Sequence, residues 1–313
     1  MKKLVAFLVL FSIGVSAQEK AFKTEEVSVN EFLEGTLYTP KTSKKTNLVI
    51  LIAGSGPTDR DGNSMMIQGE NNSLKYLAEG LTENGISVYS YDKRFFGLFK
   101  AGKTEEGMAM LFDDFVDDAV EVANFFRKGK KYKNIIFAGH SEGSLIGIIG
   151  AQKTKIDGVI SLSGTGNPLD IILEYQIGAQ APFLLEETKS ILKELKKGDT
   201  VKVENPFLQS LFAEQLQPFV ISSLKYNPQD EIKKLSVPVM IVNGTADLQI
   251  QLSETELLQK AKPNAKYLIV ENMNHVLKEV KDVTENQQSY GNPDLPVVSE
   301  LIKQISSFVK SIK

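Results

Sequence analysis

Cysteine is absent from the 313 residues, and histidine occurs only twice. Without cysteine the chain forms no disulfides and no thiolate metal sites, and no cysteine is available to carry a lipid at a mature N-terminus. Its stability must therefore come from a buried core. The scarcity of histidine limits the search for a general base near neutral pH to His140 and His275.

Arginine is almost as scarce, because lysine supplies nearly all of the positive charge. Its three positions are Arg60, Arg94 and Arg127. A guanidinium binds a carboxylate bidentately, which an ammonium cannot do. For Arg60 and Arg94 we therefore predict ion pairs that organise the loops, with Asp61 or Asp92 as partner. The alternative role is binding of a substrate carboxylate.

The first 17 residues have the pattern of a secretory signal peptide. Two lysines precede the apolar run Leu4–Val15, and small residues lead to a cleavage site between Ala17 and Gln18. The apolar run is about a dozen residues, short of the roughly 20 that span a bilayer. We expect an exported protein without a stable membrane span in its mature form. An uncleaved anchor is the alternative.

The charge balance gives no support for nucleic-acid binding. Removal of the two leader lysines takes the formal net charge from −3 to −5, with 34 basic residues against 39 acidic ones. Neither a basic block nor an alternation of basic and aromatic residues is present. With 42% hydrophobic and 24% charged residues, the composition suits a soluble globular protein.

Short apolar runs alternate with helical patterns, which is typical of a mostly parallel sheet in an α/β fold. Continuous apolar strands without alternation indicate burial on both faces. An earlier stretch, Glu25–Pro40, predicts an antiparallel hairpin at the edge. The predicted core strands are Asn47–Gly54, Ile86–Asp92, Asn134–His140, Gly158–Gly164, Val237–Gly244 and Lys266–Asn272. Amphipathic helices are predicted over residues 111–128 and 296–313.

Residues 165–235 interrupt the alternation of strands and helices, because they contain no convincing strand. About 70 residues is too long for a plain loop, and the segment is rich in Leu, Ile and Phe at helical spacing. We interpret it as a helical cap inserted between two parts of one core, residues 18–164 and 236–313. The alternative is a set of packing helices remote from any site.

The stretch from Gly139 to Gly143 reads G-x-S-x-G, with a predicted strand before it and a helix after it. The bare pattern is weak, but a strand–turn–helix context would lift Ser141 above the sheet edge, within reach of a base. Ser144 lies one turn into the helix and lacks that geometry. We predict that Ser141 is a nucleophile, whereas a simple helix cap is the alternative.

A serine nucleophile needs a base, and the base needs an acid. His140 is adjacent to Ser141 across the sharp turn between the strand and the helix, which we call the elbow. We therefore expect His140 to support the structure of the elbow. His275 follows the last predicted strand and is the predicted base. Asp247, in a short loop 28 positions earlier, is the predicted acid, and Asp170 is the rival.

An acyl-transfer site also needs donors for the oxyanion. The backbone N–H of Glu142, at the helix start, is the first candidate. The second is the N–H of Ser55, because the glycines beside it let the first loop, "GSGPTDRDGN", fold against the elbow. An ordinary glycine-rich turn is the alternative for that loop.

The motifs "GSGPTDRDGN", "YDKR", "GHSEGS", "NGTADLQI" and "MNHVLK" occur in an order that resembles the α/β-hydrolase superfamily. Within it, the chain is similar to bacterial serine esterases and serine-aminopeptidase-like hydrolases. The resemblance implies an eight-stranded sheet, a helical cap after the sixth strand, no cofactor, and Ser141, Asp247 and His275 as the triad acting on carboxylic esters. One departure is Phe95, which stands where relatives carry glycine, so the loop with Phe96 is expected to be reshaped.

The residues leave three functions open. The favoured hypothesis is hydrolysis of esters with small to medium acyl groups, which the apolar cap would accommodate. A peptidase with the same triad would need an acid for a free α-amino group, and Glu174, Glu186 and Glu187 are candidates in the cap. A non-catalytic binding protein on this scaffold is the third.

Overall fold

The computed structural model describes residues 21–313. The predicted signal peptide lies outside these residues. Within them, eight strands form one sheet: β1 Phe22–Ser28, β2 Glu34–Pro40, β3 Leu48–Ile52, β4 Ser87–Tyr91, β5 Ile135–His140, β6 Gly158–Leu162, β7 Val239–Gly244 and β8 Lys266–Val270.

The strand order is β1-β2-β4-β3-β5-β6-β7-β8. Strands β3 to β8 pair in parallel, whereas β1 and β2 form an antiparallel hairpin at one edge. The predicted fold class, a mostly parallel sheet with an antiparallel edge, is therefore confirmed. Because the central strands are parallel, their carboxyl ends share one edge, where the loops after β3, β5, β7 and β8 meet.

Helices cover both faces of the sheet. In chain order the described α-helices are α1 Ser73–Glu83, α2 Arg94–Lys100, α3 Thr104–Met108, α4 Phe112–Lys128, α5 Glu142–Lys153, α6 Leu169–Gln180, α7 Leu185–Leu195, α8 Gln209–Phe212, α9 Gln217–Ser223, α10 Pro228–Lys233, α11 Leu252–Ala261, α12 Val283–Ser289 and α13 Ser299–Ser311. Short 3₁₀ turns lie at Pro182–Leu184 and Glu214–Leu216.

The apolar strands pack on both faces, as the unbroken hydrophobic runs predict. Neighbouring residues of β5 illustrate this. Ile136 faces a cluster that includes α1 and α13, and Phe137 faces the opposite cluster with α4 and α5. Both side chains are fully buried, and each contributes about 1.5–3 kcal/mol through burial.

The segment between β6 and β7 contains helices α6 to α10, joined by turns and by a non-helical stretch at residues 196–208. Its helices α6 to α9 share a separate apolar cluster, in which Leu195 and Phe212 are buried. The end of the segment does not belong to this cluster, because Ile232 and Leu235 pack into the main core beside α4 and α5. We therefore use "the cap" to mean helices α6 to α9, which share this separate apolar cluster. In the described part of the chain, no helix is both long and apolar enough to cross a bilayer.

Candidate active site

Ser141 occupies the sharp turn between β5 and α5. Its backbone has φ 54° and ψ −120°, a conformation that L-residues rarely adopt. The flanking glycines make the turn possible. A Cβ on Gly139 would lie 1.9 Å from the carbonyl oxygen of Gly143, and one on Gly143 would lie 2.3 Å from that of Ile52. Both glycines are thus required by close backbone packing.

The two serines of the "GHSEGS" stretch have different surroundings. Ser141 borders a cavity, and among residues 21–313 its hydroxyl makes no hydrogen bond, to His275 or to any other residue. Ser144 is buried, and its hydroxyl donates to that of Ser161 at 2.7 Å. Ser144 therefore serves packing between α5 and β6, and only Ser141 is available for chemistry.

His275 and Asp247 form a buried pair at the ends of β8 and β7. The imidazole Nδ1 lies 2.9 Å from Asp247 Oδ2. Because a carboxylate accepts, Nδ1–H donates and Nε2 keeps its lone pair for a proton. The second carboxylate oxygen accepts the N–H groups of Gln249 and Ile250, both at 2.9 Å.

These contacts keep Asp247 ionised. Burial on its own would raise the pKa of the Asp247 carboxyl. The neighbouring His275 imidazole and the N–H groups that the carboxylate accepts outweigh burial, so the pKa is lower than usual. An ionised, fixed acid beside His275 can orient the ring and stabilise its protonated form. The rival acid, Asp170, instead pairs with Lys196 at the end of α7.

His140 connects the elbow to the base. Its Nε2–H donates to the backbone carbonyl of His275 at 2.8 Å, and the two ring centroids are 4.7 Å apart. Burial, together with the nearby His275 ring, lowers the pKa of His140 to about 3. The ring is therefore neutral at ordinary pH. It supports the segment that carries His275, in agreement with the structural role expected for it.

A polar cluster that the sequence analysis missed holds the acid and base loops together. Asn274, next to His275, donates to Asn286 Oδ1 at 3.0 Å and to Ser289 Oγ at 2.6 Å on α12. Asn286 in turn donates at 2.7 Å to the carbonyl of Ala246, next to Asp247. The position of Asn274 directly before the predicted base was the one available signal.

The two predicted oxyanion donors lie against the same cavity. Ser55 follows β3, Glu142 begins α5, and both border the cavity beside Ser141. Gly54 brings the first loop against the elbow, since a Cβ there would lie 3.2 Å from that of Ser141. Within the described chain, neither the Ser55 nor the Glu142 backbone N–H has an acceptor. Both are free to donate to an oxyanion.

Lys93, which follows Asp92 after the end of β4, is a buried lysine that the sequence analysis did not single out. Its ammonium donates to the carbonyls of Gly54 and Gly56 and lies 3.4 Å from the Glu142 carboxylate. Burial lowers the pKa of Lys93, and the Glu142 carboxylate opposes that effect. The Glu142 side chain, which the motif left without a role, thus has a partner.

Arg60 forms ion pairs with residues of two other segments. Its Nε donates to Asp92 Oδ2 at 2.9 Å, and its backbone N–H donates to Oδ1 at 2.8 Å. It also pairs with Glu26 of β1. The bidentate geometry ties the first loop to the end of β4 and to the edge hairpin.

Arg94 and Asp61, which were predicted together with Arg60, also make contacts within the scaffold. Arg94 does not join Arg60, because it pairs with Asp118 on α4, with Nε 2.8 Å from Oδ1. Asp61 acts through its backbone carbonyl, which accepts N–H groups at the start of α1. In the part of the chain that the structure covers, none of the three borders the cavity.

The cavity above Ser141 has a volume of about 530 Å³ and lies between the sheet edge and the cap. Its walls are mainly apolar, with Phe115 and Leu145 from the core side and Leu173 and Phe219 from the cap. Phe95, the departure from the family motif, belongs to α2 and also borders the cavity. The apolar residue at this position therefore contributes to the cavity wall.

Charge is nearly absent from the cavity. Among residues 21–313, its only carboxylate is that of Glu142, which Lys93 already engages. The cap acids Glu174, Glu186 and Glu187 do not border it. Nor does this part of the chain contain a cluster of His, Asp or Glu suited to hold a metal ion.

The chain is similar to known hydrolases. The family model described as serine aminopeptidase, S33, matches residues 69–196. Esterase EstD of Thermotoga maritima is 27% identical over 293 residues, which cover 91% of this chain and 68% of that protein.

Solved structures agree on the fold. Est1E from Butyrivibrio proteoclasticus is 16% identical, with a TM-score of 0.57 over 92% of this chain and 99% of that chain. The acylaminoacyl peptidase of Pyrococcus horikoshii is 12% identical, with a TM-score of 0.54 over 94% of this chain and 42% of that chain. Est1E and an acylaminoacyl peptidase thus share the fold with this chain, so the fold does not identify the substrate, which must be argued from the site.

Proposed function

We propose that this chain, which has the fold of α/β hydrolases, is a serine esterase cleaving carboxylic esters with apolar acyl groups of small to medium size. The observation that carries the proposal is the strained Ser141 beside an apolar cavity, at the same sheet edge as the Asp247–His275 pair. Serines on ordinary turns do not have this backbone conformation.

The proposed reaction proceeds through an acyl-enzyme. Ser141 Oγ attacks the ester carbonyl carbon while its proton passes to His275 Nε2, and Asp247 stabilises the resulting imidazolium. The N–H groups of Ser55 and Glu142 donate to the oxyanion of the tetrahedral intermediate. The imidazolium then protonates the departing alcohol, and water repeats the sequence to release the acid.

The cavity supports an apolar acyl group rather than a charged one. A volume of about 530 Å³ lies in the usual range for small-molecule sites. A buried charged substrate group without a partner would cost several kcal/mol. The apolar walls contributed by Leu173 and Phe219 supply no such partner.

The same walls argue against the aminopeptidase alternative. Recognition of a free α-ammonium needs an available carboxylate, and the Glu142 carboxylate already lies beside Lys93. Among the described residues, no second carboxylate borders the cavity. The acid that would favour a peptidase is therefore missing from the site.

A substrate panel tests the choice of bond. Purified mature protein is assayed with p-nitrophenyl acetate, butyrate, hexanoate and octanoate, and with aminoacyl p-nitroanilides. We expect kcat/KM for at least one ester to exceed that for every anilide by about 10³-fold or more, because buried unpaired charge is strongly rejected. Higher turnover of the aminoacyl anilides would overturn the esterase proposal.

A pair of variants in α6 tests the acyl site. Leu173 borders the cavity, whereas Ile171 on the same helix is 47% exposed to solvent. Leu173→Trp should raise KM for the octanoate ester about tenfold and leave that for acetate nearly unchanged, because the larger ring fills the cavity. Ile171→Trp is the matched control, and we expect no change with either ester. Equal effects of both variants would contradict this location of the acyl group.

We also propose that the protein is exported and cleaved between Ala17 and Gln18, on the basis of the leader pattern in its sequence. Expression of the full chain in a bacterium, followed by N-terminal sequencing of the exported fraction, tests this. A mature chain that begins at Gln18 is the expected result, and an intact Met1 in the cytoplasm would contradict it.

A further inference from the structure

We propose that Lys93 is a positioning residue for the oxyanion hole and fixes the two donor segments relative to each other. This inference rests on the proposed function, since it assigns a role within the acyl-transfer site. Lys93 would not touch the reacting atoms; it would act through the backbone on either side of them.

The contacts of the ammonium support this role directly. Its acceptors Gly54 O and Gly56 O flank Ser55, the proposed donor from the first loop. Its third partner is the side chain of Glu142, the residue that supplies the other donor. One side chain therefore contacts both segments, although they follow different strands.

The chemistry of lysine matches this arrangement. An ammonium has three N–H donors and no acceptor, and Lys93 has three acceptors: the Gly54 carbonyl, the Gly56 carbonyl at 3.2 Å and the Glu142 carboxylate at 3.4 Å. Only 6% of the residue is exposed, and the Phe115 ring lies 5.4 Å from its ammonium. Water therefore competes weakly for these bonds.

The role predicts a specific kinetic signature. The Ser55 and Glu142 N–H groups are expected to bind the oxyanion of the transition state more strongly than the substrate carbonyl. A displacement of these donors should therefore lower kcat and leave KM nearly unchanged. A purely structural lysine would instead lower the amount of folded enzyme, without changing the kinetic constants of the folded fraction.

The test compares Lys93→Met with Lys262→Met. Lys262 also donates to a backbone carbonyl, that of Leu235 below the cap, and does not border the cavity. With p-nitrophenyl butyrate and active sites counted by titration, Lys93→Met should lower kcat by about 10- to 100-fold, less than the full loss of one donor. The affinity for an alkyl trifluoromethyl ketone, which forms a tetrahedral adduct, should fall in step. Lys262→Met should leave both quantities unchanged.

Glu142→Gln provides a second variant in case Lys93→Met does not fold. It retains the backbone N–H and the two loop carbonyls but removes the charge opposite Lys93, so we expect a smaller fall in kcat, about three- to tenfold, again without a change in KM. Unchanged kcat and inhibitor affinity in the folded variants would overturn the positioning role. A wild-type enzyme that neither turns over esters nor binds the ketone would overturn the proposed function itself, and this inference with it.

Discussion

Ser141 illustrates how much a single residue depends on its neighbours. A positive φ at a non-glycine residue costs about 1–3 kcal/mol and persists only where packing holds it. Gly139 and Gly143 permit that packing, because neither position has room for a Cβ. The motif could be recognised in the sequence because both glycines are local to the serine.

The location of His275 and Asp247 at the sheet edge could also be predicted from local sequence. His275 and Asp247 directly follow apolar runs, and parallel strands bring such positions to one edge. Lys93 also follows a strand, but its role depends on backbone carbonyls of a loop about 40 positions earlier in the chain. No local pattern encodes that contact, so only the structure could assign it.

His140 gives a prediction of pH-dependent stability. Its pKa is lowered to about 3 in the folded protein, against about 6.5 when unfolded. The stability it contributes is complete above pH 6.5 and is lost as the pH falls, because only the unfolded chain takes up the proton.

The measurement is urea unfolding of wild type and His140→Gln between pH 7 and pH 4. Wild type should lose stability relative to the variant by about 1.4 kcal/mol per pH unit below pH 6. Asp118, whose burial raises its pKa to about 6, titrates in the same range. Its effect cancels in the difference between the two curves, and a flat difference would contradict the assignment to His140.

At the scale of elements, the six predicted core strands and the edge hairpin all occur, because uninterrupted apolar runs are a strong local signal. The helices after β4 were not predicted. The "FFGLFK" stretch was interpreted as a loop, but it forms α2, in which the Phe95 ring packs against those of Phe96 and Phe99. A Cβ on Gly107 of α3 would lie 3.3 Å from the Phe95 ring, so α2 also packs against α3, and the "FFGLFK" stretch alone does not show that contact.

The strand–turn–helix element gives a stability prediction. Gly143 and Gly178 both lie inside helices, but a Cβ at Gly178 would make only ordinary contacts, at 3.5 Å from Leu185. Gly143→Ala should lower the free energy of unfolding by about 3 kcal/mol or more through the clash with Ile52. Gly178→Ala should raise it by about 0.5–1 kcal/mol. Urea unfolding of both variants measures the difference, and similar values for the two would refute the close packing at the elbow.

At the scale of the whole molecule, the site combines parts from distant regions. The core supplies Ser141, Asp247 and His275, and the helices α6 and α9 supply much of the cavity wall. The sequence predicted a helical insertion but not which of its helices would reach the cavity. That depends on how α6 to α9 pack together, a non-local property that composition does not determine.

The central claim is that Ser141 is an activated nucleophile, and its covalent labelling is the most direct test. Folded mature protein is treated with a fluorophosphonate probe, and the adduct is located by peptide mass spectrometry. We predict one adduct, on Ser141. It should be absent from Ser141→Ala, retained in Ser144→Ala, and formed at least about 10³-fold more slowly in His275→Ala. Folded wild-type protein that remains unlabelled at Ser141 would contradict the account and favour a binding protein on this scaffold.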